Sequence, residues 1–272
     1  MAGDLQDQLT QRLTHATLAE VGLGMVAAAG SSIPPPPDPI EPGPISLAFA
    51  DGALAPEGAD VSAADADLVV TGILGMGGMG TVYLAQQRTL GREVAVKLAR
   101  HGDLEPHLQA ALVAEARLVG SLEHPNIIPV HAVGRDHRGL PLLVMKRVEG
   151  VAWSELLDDP NHPAWSRDEL ASEDRLAAHL QILMQVANAV HFANTRGVVH
   201  RDVKPGNVMV GPFGEVYLLD WGMALRRGTT PRAGFFGTPA YMAPEMLKGD
   251  VDAIDARTDV YLLGATLHEI LT

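Results

Sequence analysis

The chain has 272 residues, 47% apolar, 4% aromatic and 19% charged, with no cysteine and a net charge of −13. That length holds one or two domains, and the apolar content suffices for a sizeable core that Leu, Val, Ala and Met must fill, since aromatics are few. The lack of cysteine excludes disulfides, thiolate zinc sites and cysteine nucleophiles and fits a reducing compartment, while the negative balance argues against a general nucleic-acid binder.

The charge is unevenly spread: residues 1–67 carry ten acidic side chains against Arg12 alone, so the acidity belongs mainly to an N-terminal arm. Within it, residues 4–29 place Leu5, Leu9, Leu13, Leu18 and Val21 at near-helical spacing. This is a candidate partner-binding helix, stopped by Gly30-Ser31-Ser32 and the run Pro34 to Pro37. The apolar stretch Leu23 to Ala29 is too short for a membrane span and follows no basic segment of the kind a signal peptide needs, which reads as cytoplasmic. From Ser31 to about Asp67, a bias toward Pro, Gly, Ala and Asp offers too little apolar surface to offset ordering entropy. A disordered or loosely extended linker is expected there.

An ordered domain is expected from Leu68 onward. LVVTGILGMGGMGTVYLAQQ reads as strand, glycine-rich turn and strand, with Gly75, Gly77 and Gly80 in a G-x-G-x-x-G pattern. A dinucleotide fold would open into a helix at this point, whereas Thr81-Val82-Tyr83-Leu84 is β-prone. The reading is a hairpin whose backbone closes over nucleotide phosphates, where a Cβ would obstruct the approach. Glu93 to Lys97 is a strand, Leu108 to Leu122 a helix carrying Glu115, and Leu142 to Met145 a buried strand. Trp153 to Asp158 suggests a short helix and Pro160 to Arg167 a polar loop. Asp174 to Thr195 repeats Leu176, Leu180, Leu183, Met184, Val186, Val190 and Phe192 with the period of a long buried helix. His179 and His191 have no partner at metal-ligand spacing and read as structural.

The densest chemistry lies between Val198 and Ala224. Val208 to Val210 and Glu215 to Leu219 are two short strands flanking the turn Gly211-Pro212-Phe213-Gly214. Such a hairpin returns Asn207 and Asp220 to one place, and two oxygen ligands suit Mg²⁺, which keeps its other positions for water and phosphate oxygens. Asp202 then stands beside the metal as a carboxylate able to accept a hydroxyl proton, and Lys204 offers a point charge to a phosphoryl group. This set points to phosphoryl transfer.

His200-Arg201-Asp202, with Asn207 five residues on, resembles the HRDxxxxN catalytic loop of the protein kinase family. Asp220-Trp221-Gly222 is similar to its DFG motif with Trp for Phe, and Glu93-Val94-Ala95-Val96-Lys97 to its VAIK strand. Gly237-Thr238-Pro239-Ala240-Tyr241 to Glu245 resembles the peptide-positioning loop and APE motif, and Asp259 to Gly264 the start of the helix the family calls αF. The wording GMGGMGTVYLA and HRDVKPGN, with Lys204 two residues after the aspartate, resembles bacterial Hanks-type Ser/Thr kinases. The resemblance covers about residues 68–272. It implies a bilobal α+β fold with a small β-rich N-lobe that includes the αC helix (about 68–145), a hinge (146–150) and a mainly helical C-lobe (151–272). That C-lobe stops after αF, short of the arginine expected to pair with Glu245, so the chain reads as a fragment of a longer kinase with Glu245 buried and unpaired.

The same resemblance implies an ATP-dependent kinase acting on Ser and Thr hydroxyls of proteins, including its own. ATP would lie under Leu74, Gly75, Met76, Gly77, Gly78, Met79, Gly80 and Thr81. Val82, Ala95 and Met209 would sandwich the purine beside the gatekeeper Met145 and the hinge residues Lys146, Arg147 and Val148. Lys97, oriented by Glu115, would hold phosphates; Asn207 and Asp220 would hold Mg²⁺, with Mn²⁺ as a substitute. Asp202 would deprotonate the substrate hydroxyl, with Lys204 balancing charge and Thr238 touching both. Val119, Val130, His200 and Trp221 would stack as a spine between the lobes, and a phosphate on Thr229 or Thr230 would pair with Arg201. Two alternatives stand beside this reading: a pseudokinase scaffold that binds nucleotide without turnover, and an adaptor whose functional unit is the acidic arm.

Overall fold

A computed structural model describes residues 44–45, 67–77, 80–98, 106–136, 140–166, 174–228 and 237–272. The candidate helix at 4–29 lies outside the described residues. Six strands form one antiparallel sheet: β1 (Pro44–Ile45), β2 (Leu68–Gly77), β3 (Gly80–Gln87), β4 (Arg92–Leu98), β5 (Val130–Arg135) and β6 (Pro141–Lys146). Their spatial order is β1-β2-β3-β4-β6-β5. Local chemistry sets these strands. Along β3 burial alternates with the pleat, Tyr83, Ala85 and Gln87 facing inward, and β4 is buried from Val94 through Leu98 because the sheet and the helix behind it cover both faces. Asp67 fixes the start of β2 by accepting from Gln87 Nε2 at 3.0 Å and Thr89 N at 2.9 Å. The short β1 pairs with β2 at Pro44↔Val69 and Ile45↔Leu68, so one piece of the stretch read as linker is a strand at the sheet edge.

Helix α1 (Pro106–Gly120) packs on this sheet by setting Leu112 and Ala116 against Leu143 of β6. The chain leaving α1 bonds to the other lobe: Leu218 N donates to Asn126 O at 2.8 Å, and Ile128 N to Leu218 O at 3.3 Å. Gly150, past the end of β6, lies so close to β9 (Val208–Val210) that an added Cβ would meet the Val210 carbonyl carbon at 2.8 Å and its oxygen closer still.

The second lobe is built on α2 (Trp153–Asp158), α3 (Arg175–Thr195), α4 (Pro244–Lys248) and α5 (Ala256–Leu271). Asp174 caps α3 by accepting from Ala177 N at 3.1 Å, and the buried stripe His179, Ile182, Val186, Ala189, Val190 and Ala193 follows the helical period. These residues join Trp153, Leu156, Val208, Leu218, Trp221 and Leu262 in one apolar core. His179 is structural: its Nδ1 accepts from Trp153 Nε1 at 2.9 Å, and burial, then the nearby Arg175 charge, pushes its pKa below the usual imidazole value. Two small sheets complete the lobe, β10 (Val216–Leu218) with β9 and β7 (Val151–Ala152), and β11 (Leu225–Arg226) with β8 (Val198–Val199). Among the described residues no helix is long and apolar enough to cross a membrane.

Glu245 departs from its expected buried, unpaired state. It is half-buried in α4 and accepts from Thr258 Oγ1 at 2.6 Å, because the first turn of α5 brings that hydroxyl against it. Val260 and Tyr261 on α5 are exposed, at 63% and 49%.

Candidate active site

The hairpin of β9 and β10 pairs Val208 with Leu218, and Leu219 N donates to Asn207 O at 2.8 Å. This register sets Asn207 and the residue after Leu219, Asp220, at one end of the hairpin. The Asn207 amide nitrogen donates to Asp202 O and Oδ2, both at 2.7 Å. Its carbonyl oxygen is therefore the atom left to face a cation. Asp220 lies in the left-handed region (φ 52°), a strained setting for a residue with a Cβ, and its side chain keeps 36% exposure.

Asp202 is almost wholly buried, yet its carboxylate is surrounded by polar partners. Thr238 Oγ1 donates to its Oδ1 at 2.8 Å, and Lys204 Nζ lies 3.0 Å from its Oδ2. Lys204 also donates to Thr238 Oγ1, which closes a three-residue ring around one carboxylate. The loop holding Asp202 hangs on Asp259 at the start of α5. That carboxylate, with no exposed surface, accepts from His200 N and Arg201 N, each at 2.9 Å, and from Asn194 Nδ2 at 2.8 Å. Arg201 is also left-handed (φ 69°) and donates through Nε to Met223 O at 2.5 Å. Burial lowers its pKa, opposed by the Asp259 charge.

On the sheet side, Lys97 of β4 is buried and bridges two carboxylates. It reaches Glu115 Oε1 and Oε2 of α1 at 2.8 and 3.1 Å and Asp220 Oδ1 at 3.0 Å. Burial alone would favour neutral lysine, but the Glu115 and Asp220 charges outweigh it and raise the Lys97 pKa. Asp220 moves the other way: burial would raise its pKa, and Lys97 more than offsets this, holding it below the ordinary carboxylate value. It is therefore ionised at neutral pH. Burial raises the pKa of Glu115, opposed by Lys97.

Strand register puts Val82 opposite Lys97 and Ala95 opposite Met145, so these residues share one face of the sheet. Met145 and Val148 pack against the helical-lobe core, while Met209 stands on β9 opposite Ala152. Leu74 and Met76 are exposed on β2, Gly75 pairs with Val82, Met76 with Thr81 and Gly77 with Gly80. Gly78 and Met79 lie outside the described residues, as do Thr229 and Thr230. Val119 and Trp221 share a core against which Val130 packs. The rings of His200 and Trp221 meet edge to face at 4.5 Å between centroids. Among the described residues no group of three His, Cys, Asp or Glu could hold a metal, and the hairpin brings the oxygens of Asn207 and Asp220 to one end. That hard pair fits a small divalent ion that keeps water and phosphate ligands.

Sequence reasoning did not assign Asp259 as the anchor of the catalytic loop, nor the bridge from Lys97 to Asp220. Asp259 had a signal, a lone carboxylate heading the apolar run VYLLG, but its two backbone partners lie nearly sixty residues away.

The family model for the protein kinase domain matches residues 68–272. The probable serine/threonine-protein kinase SCO3848 of Streptomyces coelicolor is 39% identical over 210 residues, covering 74% of this chain and 29% of that protein. Serine/threonine-protein kinase PknB of Mycobacterium leprae is 35% identical over 211 residues, covering 74% and 31%. The crystal structure of the M. tuberculosis PknI kinase domain superposes with a TM-score of 0.56 at 26% identity, over 75% of this chain and 72% of that one. The chain spans less than a third of the length of these two curated relatives. It belongs to the protein kinase family, among the bacterial Hanks-type members.

Proposed function

We propose that this chain transfers the γ-phosphoryl group of ATP to Ser or Thr hydroxyls of protein substrates, within a kinase domain of residues 68–272. The observation that carries the reading is the pairing of two preassembled clusters. In one, Thr238 and Lys204 aim the buried Asp202 carboxylate; in the other, Glu115 and Asp220 hold Lys97 as a cation. The names of the relatives, serine/threonine-protein kinases, support the hydroxyl class.

In this reading the hairpin of β2 and β3, from Leu74 through Val82 with Gly75, Gly77, Gly78 and Gly80, covers the phosphates, and Val82, Ala95, Met145, Val148 and Met209 flank the purine. Lys97 meets α- and β-phosphate oxygens, its ammonium kept charged by Glu115. Mg²⁺, or Mn²⁺ in its place, fits the Asn207 and Asp220 oxygens and would supply charge neutralisation to the phosphates when bound. Asp202 accepts a hydrogen bond from the substrate hydroxyl and takes its proton as the oxygen bonds to phosphorus. Lys204 offsets charge on the transferring group, and Thr238 fixes the Asp202 rotamer. ADP leaves with the electron pair of the broken bond.

Calorimetric titration with ADP, with and without Mg²⁺, tests the site before any chemistry. Mg²⁺ should tighten ADP on the wild type and lose that effect in Asp220→Asn. Equal metal dependence in both proteins would refute the assignment of Asp220.

A further inference from the structure

Two cations stand side by side where the chain leaves β6, Lys146 and Arg147, and the alternation of the pleat parts them. Met145 lies opposite Ala95 on the face that carries Lys97 and Val82, so Lys146, opposite Val94, projects from the other face. Its Nζ stands 5.6 Å from the centroid of the Tyr217 ring on β10, in the second lobe. Both residues are half-buried, and among the described residues no carboxylate pairs with this lysine, so the ring face is the partner its charge has. Arg147 turns the other way. One step past the last pair of strands β4 and β6, its Nη1 pairs with Glu93 Oε2 on β4 and lies 3.2 Å from Glu149 Oε1. The strands gripped in this way are those that lead to the ion pair of the cleft. Lys97 follows Glu93 by four residues, Asp220 follows Tyr217 by three, and Lys97 Nζ meets Asp220 Oδ1 at 3.0 Å.

We propose that Lys146 and Arg147 are positioning residues, consecutive side chains that clamp β10 and β4 respectively and thereby set the spacing at which Lys97 meets Asp220. The clamp is a property of the nucleotide-free protein; its consequence for catalysis rests on the reading of the cleft as the ATP site. Neither contact is strong. A half-buried cation–π contact and a partly exposed ion pair each move an equilibrium by roughly two- to fivefold. Removing either one raises the population of molecules with parted lobes by about that factor and leaves each lobe folded.

The chain has no cysteine, so a pair of nitroxide labels can be placed uniquely at Leu90→Cys, on the turn before β4, and Met184→Cys, on α3, where the native side chains are 61% and 65% exposed. Pulsed dipolar resonance on the full chain without nucleotide then reads the distance between the lobes. The labelled parent is compared with Lys146→Met, Tyr217→Leu and Arg147→Gln, and with Lys146→Arg and Tyr217→Phe, which keep the cation and the ring. The expected result is a long-distance fraction about two- to fivefold larger in the first three, a parent-like distribution in the last two, and no further rise when Lys146→Met and Tyr217→Leu are combined. A parent-like distribution in either Lys146→Met or Arg147→Gln overturns the proposal, as does a double variant in which the two single effects multiply. Lys146→Met keeps the length of the side chain and removes only its charge, so it decides the matter should Tyr217→Leu fail to fold. Because no nucleotide is present, failure of the clamp is distinguishable from failure of the nucleotide reading, which the ADP titration reports.

Discussion

Replacing Asp259 by Asn probes how the catalytic loop is mounted. The carboxylate has no exposed surface and takes three donors, with Oδ2 accepting from His200 N and Asn194 Nδ2 and Oδ1 accepting from Arg201 N. The amide can place its oxygen on one side only. If it keeps His200 and Asn194, its NH₂ faces the Arg201 N–H, and a buried donor is orphaned at a cost of about 1–3 kcal/mol. Loss of the formal charge weakens the two surviving bonds, each worth about 0.5–1 kcal/mol less. The sum is about 3 kcal/mol, or roughly 6–12 °C in Tm for a domain of this size. Arg201, released from its left-handed conformation, shifts the adjacent Asp202, and a displacement of about 1 Å costs on the order of a hundredfold in kcat. Thermal unfolding followed by fluorescence suits the chain, since Trp153, Trp165 and Trp221 are all buried. A Tm within about 3 °C of wild type with kcat unchanged would refute the argument that Asp259 holds the loop.

Further outcomes follow from other contacts. In Lys97→Met two carboxylates lose their shared cation, and stability should drop by about 3–5 kcal/mol at neutral pH. The sign of the pH dependence is set by Glu115, whose folded pKa lies above its ordinary 4.5. The folded protein holds that proton more tightly, so its contribution is present at low pH and fades as pH rises through the raised value. Melting curves of Lys97→Met should therefore fall more steeply than wild type as pH rises above the ordinary Glu115 value of 4.5, and adding Glu115→Gln should flatten them. Thr238→Val keeps the shape and removes both hydroxyl contacts, so kcat should fall about tenfold or more with KM for ATP unchanged, and Thr238→Ser should recover most of it. Gly150→Ala would press a Cβ onto the backbone of Val210, 2.8 Å from its carbonyl carbon. It should cost about 1–3 kcal/mol in urea unfolding and weaken nucleotide binding.

The elements around the site were legible because the chemistry is local. Asn207 and Asp220 are joined by one short hairpin whose turn residues and β-branched strands read directly from the sequence, and observed strands Val208–Val210 and Val216–Leu218 nearly coincide with those expected. Thr238 touches Asp202 and Lys204 as its place in the resembling motif implies. What sequence did not carry is the side-chain geometry of distant partners. Periodicity finds α5 but cannot say that its first buried carboxylate accepts two backbone N–H groups from the loop before β9. Nor could it show that Lys97 holds Asp220 as well as Glu115, since that depends on how the lobes close. For Glu245 the resembling motif implies an arginine partner, whereas a hydroxyl one helix away satisfies one of its oxygens. Strand β1 eluded pattern reading because a two-residue Pro-Ile pair has no period to detect.

The central claim is that Asp202 serves a phosphoryl transfer. The measurement is intact mass of the protein and of a Ser/Thr-containing protein substrate after incubation with ATP and Mg²⁺, for wild type and Asp202→Asn side by side. The account predicts phosphate additions with wild type and none with the variant, both proteins binding ADP alike. Equal phosphorylation by the two, or nucleotide binding by wild type without any transfer, would contradict it.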